Sequence, residues 1–186
     1  MAAAGEEQAA PARDLRRLPA CWHTEHVDTD EFDRFVAGLD YPMFVVTVAH
    51  HGERSGCLVG FATQSSIDPP RMLVCVSKAN HTYRVAQDAD LLAVHALADD
   101  QHHLAELFGG ETDDEVDKFE QCDWGEGPGG TPLLATPRRL VGRVLARHDL
   151  GDHVGFLLDP VSVERLDDRG PLTLRMVGDV DPGHPA

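Results

Sequence analysis

Residues 56–84 read GCLVGFATQSSIDPPRMLVCVSKANHTYR, and the order of features in this stretch decides the fold. Residues 56–61 are small, β-branched or aromatic and predict a strand. Residues 62–66 change to short hydrogen-bonding side chains. Asp68-Pro69-Pro70 ends that polar loop in a rigid turn, because proline fixes φ and has no N–H for a ladder. Residues 72–77 are apolar again and predict a second strand. Asn80 then stands where a side-chain oxygen can cap a helix, which should run through Ala89.

Working outward, residues 44–48 form a strand pattern, and His50 to Arg54 separates it from the next strand with hairpin-like punctuation. Further upstream Asp28 or Thr29 can cap a short helix whose Phe32, Phe35, Val36 and Leu39 share helical spacing, with Gly38 and Pro42 marking its end. Downstream, residues 91–97 predict a strand, while residues 101–108 and 112–119 predict helices, the latter opening on three acids. A Gly/Pro-rich stretch at 125–132 reads as a loop; it lacks the Gly-Lys-Ser/Thr of a phosphate cradle. Beyond it the period becomes two: Leu140, Val144 and Ala146 alternate with Val141, Arg143, Leu145 and Arg147, and residues 154–158, 161–163 and 172–176 continue as an antiparallel meander. Strands outnumber helices and no βαβ alternation occurs. The expected fold is mainly β with α, a closed or nearly closed antiparallel barrel with a few packed helices.

The chain has 186 residues, enough for one domain. We assign a flexible leader to residues 1–20, the domain to 21–178 and a flexible tail to 179–186. With 16 Lys+Arg against 32 Asp+Glu the net charge is −16. Nucleic acid and anionic lipid need a basic stripe, so neither is expected as a partner. The N-terminus has no signal-peptide pattern and no apolar run approaches a membrane span, which points to the cytoplasm. Cys21, Cys57, Cys75 and Cys122 form no Cys-x-x-Cys pair and are read as reduced thiols. The best metal-like cluster, His23-x-x-His26 with Asp28 and Asp30, has no matching second pair, so no metal is expected. His50-His51 and His102-His103 read as solvated surface.

Two segments carry the chemistry. Around Gly60, Phe61 and Ala62 small residues let a flat ligand reach the backbone, and Thr63, Gln64, Ser65 and Ser66 offer short polar groups. Ser77, Lys78, Asn80, His81, Thr82 and Arg84 join a strand to a helix start and gather the local positive charge, a layout suited to a phosphate. Such a site works in an acidic protein because its attraction is short-ranged.

In this order and spacing the two segments resemble the flavin reductase-like family, whose FMN-binding fold is a split β-barrel. The resemblance covers residues 41–165 and includes Gly151-Asp152-His153 and Asp123-Trp124 followed by Gly129, Pro132, Leu133 and Leu134. It implies that Gly60, Phe61, Ala62, Thr63, Gln64 and Ser66 hold the isoalloxazine edge and ribityl chain of FMN, and that Ser77, Lys78, Asn80, His81 and Thr82 hold its phosphate. His153 would lie near the flavin face and act catalytically. Leu58 and Phe61 stand where many members carry hydroxyl or amide residues, and Asn80 replaces a serine of the phosphate loop. The implied activity is hydride transfer from NAD(P)H to FMN, or FAD, in a homodimer that can supply reduced flavin to a monooxygenase. The alternative is a non-catalytic carrier of a flavin or deazaflavin.

Overall fold

In the computed structural model, residues 28–111 and 116–180 are described. The described residues fall into two units, divided after Gly38. In the first, helix α1 (Thr29–Val36) starts at Asp28, whose carboxylate accepts the N–H of Asp30. Asp30 and Glu31 occupy its first turn, where acids suit the positive end of the helix dipole.

The second unit begins with β1 (Phe44–His50) and β2 (Glu53–Val59), paired antiparallel with His50 opposite Glu53. Only His51 and Gly52 lie between them, both at positive φ (51° and 83°), which is the two-residue turn whose twist matches a hairpin. β3 (Ala62–Ser66) and β4 (Arg71–Ser77) follow, then α2 (His81–Ala86), β5 (Leu91–Ala96) and α3 (His102–Gly110). A small hairpin of β6 (Trp124–Glu126) and β7 (Pro132–Leu134) precedes the two long strands β8 (Arg138–Asp149) and β9 (His153–Arg165).

Seven strands form one antiparallel sheet in the order β2-β1-β5-β8-β9-β4-β3. β2 and β3 therefore sit at opposite edges, yet only Gly60 and Phe61 separate them in sequence. A flat sheet of this order would put its edges roughly 29 Å apart at ~4.8 Å per strand. The link from Val59 to Ala62 spans at most about 11 Å. The sheet must curl until its edges meet, and it does so without a β2–β3 ladder: the barrel stays split along that line. Register shifts at Val141/Gly142 and Val144/Ala146 in the β8–β9 pair, and at Gln64/Ser66 in β3, supply the bends. Pro160 faces Gly142 at the first of these, where the missing N–H is tolerated.

Alternation along β1 sorts the two cores. Val46 and Val48 point into the barrel with Cys57, Val59, Val74, Val76, Phe156 and Leu158, and Val85, Ala86 and Ala89 from α2 and its exit plug it. Val45 points outward to Met43, Leu97, Leu104, Phe108, Phe119, Leu134 and Leu172. Among the described residues no helix is long and apolar enough to cross a membrane.

The structure corrects several expectations. Residues 62–66 are an edge strand, not a loop, and residues 125–132 contain a short hairpin. The helix after Asn80 ends at Ala86, short of Ala89. Residues 154–163 belong to one continuous strand, β9. The C-terminal half is no meander, because β8 and β9 pair outward with β5 and β4. Residues 171–173 make only isolated bridges, and Leu174–Val177 is a 3-10 turn. Of the helix expected at 112–119, Val116 and Asp117 are not helical and Lys118–Glu120 is a 3-10 turn. Residues 112–115 lie outside the described residues, as do the leader, Cys21, His23, His26 and residues 181–186. Asp179, the first residue of the expected tail, accepts a hydrogen bond from His102 at 3.0 Å.

Candidate functional site

Where the curled sheet fails to close, a cavity of about 310 Å³ opens between the ends of β2 and β4. That size falls at the lower end of small-molecule sites, about 300–1,000 Å³. Gly60, Phe61, Cys75, Ser77, Asn80 and His153 line one side. Gly60, Phe61, Ser77 and His153 come together because Ser77 ends β4 directly opposite His153 of β9, while the Gly60-Phe61 link passes over the same end of the barrel. The Phe61 carbonyl accepts the Cys75 N–H at 2.8 Å, which pins the link to β4.

The other wall is apolar and comes from segments that no local motif singled out: Tyr41, Met43, Leu58, Phe108, Leu174, Val177 and Val180. Gly60 allows a close approach here, since a Cβ at that position would stand 2.9 Å from Tyr41 Cε2. The Phe61 ring, 54% exposed, lies between Tyr41 and His153, with centroids 6.5 and 5.2 Å away. Burial pushes the Cys75 thiol up in pKa, so it behaves as a small apolar group of the cavity floor.

His153 Nδ1 lies 2.9 Å from the Asp152 carboxylate. A carboxylate partner keeps the proton on Nδ1 and so fixes the orientation of the ring. The same hydrogen bond holds the Asp152 carboxyl below its ordinary range.

The loop after β4 is densely bonded. Ser77 Oγ accepts from Ala79 N, the Ser77 carbonyl from Asn80 N, Asn80 Oδ1 from Thr82 N, and the Asp152 carbonyl from Lys78 N. Most backbone N–H groups of this turn are thus engaged internally, and two of the bonds are long, at 3.3 Å. What faces a ligand is mainly side-chain chemistry: the Ser77 hydroxyl and the Asn80 amide at the cavity, with Lys78 exposed beside them. Lys78 Nζ meets Asp149 Oδ1 at 2.8 Å. His81 Nε2 pairs with Glu53 and its Nδ1 with Arg84, both at 2.7 Å.

Not every expected residue converges on the cavity. Thr82 is buried, with its hydroxyl 2.8 Å from Ser55 Oγ. Thr63, Gln64 and Ser65 lie exposed on the edge strand β3, and the Thr63 and Gln64 side chains bond back to the backbone at Gln64 and Ser66. Ala62 packs against the barrel core. Ser66, half-buried, sits at the far end of β3, opposite Arg71.

The sequence model of one family, described as "Flavin reductase like domain", matches residues 36–178. Among curated proteins, the reductase subunit HsaB of a flavin-dependent monooxygenase from Rhodococcus jostii is 34% identical over 103 residues, covering 53% of this chain and 51% of that protein. The FMN reductase (NADH) RutF of Methylorubrum extorquens is 28% identical over 130 residues, covering 68% of this chain and 62% of that protein. The chain thus spans between half and two thirds of the length of these relatives. Among solved structures, the NADH:FAD oxidoreductase of Streptomyces globisporus superposes with a TM-score of 0.72 at 27% identity, over 78% of this chain and 87% of that one.

Proposed function

The chain belongs to the flavin reductase-like family, and from that premise we propose that it is an NAD(P)H-dependent flavin reductase, with FMN as its flavin and FAD as a possible substitute. One observation carries the reading: the unclosed seam of the barrel brings Gly60, Ser77, Asn80 and His153 to a single cavity with an apolar far wall. A flat aromatic ring with one polar edge and a phosphate tail fits that donor set. When bound, the flavin would supply the acceptor for a hydride delivered by a nicotinamide.

The chain's own residues would bind, orient and exclude water. Tyr41, Leu58, Phe108 and Val177 present apolar surface to a ring system, and Gly60 keeps the backbone side open. Ser77 and Asn80 provide side-chain donors at the mouth, with the Lys78 ammonium beside them for a phosphate. His153, oriented by Asp152, and the exposed ring of Phe61 form the edge over which a second ring would stack. The direct measurement is loss of NADH or NADPH absorbance on addition of FMN. Turnover that depends on both supports the reading; flavin binding without turnover makes the protein a carrier instead.

We place the protein in the cytoplasm as a homodimer serving a monooxygenase. Supporting the dimer, an apolar groove of about 290 Å³ runs along Phe44, Met72, Val94, Leu140 and Val163, and Val163 is 68% exposed. Sedimentation velocity at micromolar concentration distinguishes a dimer from a monomer.

A further inference from the structure

Lys78 directly follows the cavity-lining Ser77, and its ammonium is already paired. Its ammonium donates to Asp149 Oδ1 at 2.8 Å, and the same oxygen accepts the Gly151 N–H at 3.1 Å. Asp149 ends β8, and the turn it begins carries Asp152 and leads into His153 at the start of β9; Lys78 N is tied to that turn through the Asp152 carbonyl at 2.9 Å. The pair is open to solvent, with the Lys78 side chain 36% and the Asp149 side chain 76% exposed. Exposed pairs of this kind add little to stability. The carboxylate is better explained by what it does to the lysine.

We propose that Asp149 is a positioning residue that occupies the Lys78 ammonium and thereby weakens the hold on the flavin phosphate, keeping the flavin exchangeable. A phosphate arriving at Ser77 and Asn80 must share the ammonium with a carboxylate that the Gly151 N–H also holds toward it. A reductase that hands reduced flavin to another protein needs such a loose grip, whereas a permanently loaded flavoprotein does not. The inference rests on reading the Ser77–Asn80 loop as the phosphate site, so its test must separate the two.

The test is fluorescence titration of the full chain with FMN and with riboflavin, which lacks the phosphate, comparing wild type, Asp149→Asn, Lys78→Gln and the double variant. Asparagine can still accept from Gly151, so the turn is preserved. Asp149→Asn should lower the FMN Kd about threefold or more, since it removes a unit charge beside a dianion, and leave riboflavin unchanged. The gain should shrink in the Lys78→Gln background. If wild type prefers FMN to riboflavin but Asp149→Asn does not tighten FMN, or tightens it equally without Lys78, the role given to Asp149 is overturned. If wild type shows no preference for FMN, or binds neither flavin, the phosphate loop itself is wrongly read and the inference falls with it.

Discussion

At His95 one imidazole uses both nitrogens inside the protein: Nδ1 donates to the Val45 carbonyl at 3.0 Å and Nε2 accepts the Leu134 N–H at 3.2 Å. It joins β5 to β1 and β7 with no exposed surface, and burial lowers its pKa from 6.5 to about 4. Because the folded pKa is the lower one, the unfolded chain takes up more protons between these values. Stability is complete above about pH 6.5 and falls as the pH drops toward 4, by about 3 kcal/mol in total. Urea denaturation from pH 7 to 4 should show that slope, and His95→Gln should flatten it whatever its absolute cost; an unchanged slope would assign the loss to carboxylates alone. Nothing in the sequence marks His95, since a histidine in an apolar strand has no distinguishing neighbours. Ser77, Asn80 and His153 were legible because each stands in a local motif. Tyr41, Phe108 and Val177 were not, because they reach the cavity from remote segments of ordinary apolar composition.

At the scale of elements, legibility depended on whether a segment's own side chains choose its conformation. β1 and β2 were readable because Val45 and Leu58 face one core while Val46, Cys57 and Val59 face the other. β3 was not: Thr63, Gln64 and Ser65 are exposed on an edge, so no buried face imposes alternation and the residues read as loop. Residues 172–176 misled in the opposite sense. Leu172, Leu174 and Met176 alternate, and Leu172 bonds to Met43 and Leu97 while Leu174 N donates to the Tyr41 carbonyl, but Met176 N turns back to the Thr173 carbonyl as the chain winds into a 3-10 turn. Two glycines test the joints between elements. Gly52 has room for a Cβ, with nothing within 4 Å, so Gly52→Ala acts through its φ of +83° alone and should cost about 1–2 kcal/mol by thermal or urea unfolding. Gly60→Ala instead drives a methyl toward the Tyr41 ring in the cavity wall. It should raise the FMN Kd on the order of tenfold, about 1.4 kcal/mol, and an unaltered Kd would detach Gly60 from the ring site.

For the whole molecule, the decisive feature is that consecutive strands β2 and β3 lie at opposite edges of the sheet. Barrel class was legible from strand count and alternation, but the strand order was not, because pairing partners such as Ser77 of β4 and His153 of β9 are far apart in sequence and carry no mutual sequence mark. The seam that results opens the cavity of the proposed phosphate site in a protein of net charge −16. Two forces of opposite sign and different range then act on FMN. The summed field repels a dianion over tens of ångströms at low ionic strength, whereas Ser77, Lys78 and Asn80 act only within contact distance. Raising the salt from about 0.01 M to 0.1 M shortens the Debye length from roughly 30 Å to 10 Å, which removes the repulsion before it touches the local contacts. The FMN association rate, followed by stopped-flow fluorescence, should therefore rise with salt over this range. Riboflavin, without the dianion, should associate at a rate that salt leaves nearly unchanged. An FMN rate that instead falls with salt would mean a net attractive field at the cavity mouth, and the phosphate would then be drawn in by a basic surface that the charge of this chain does not provide.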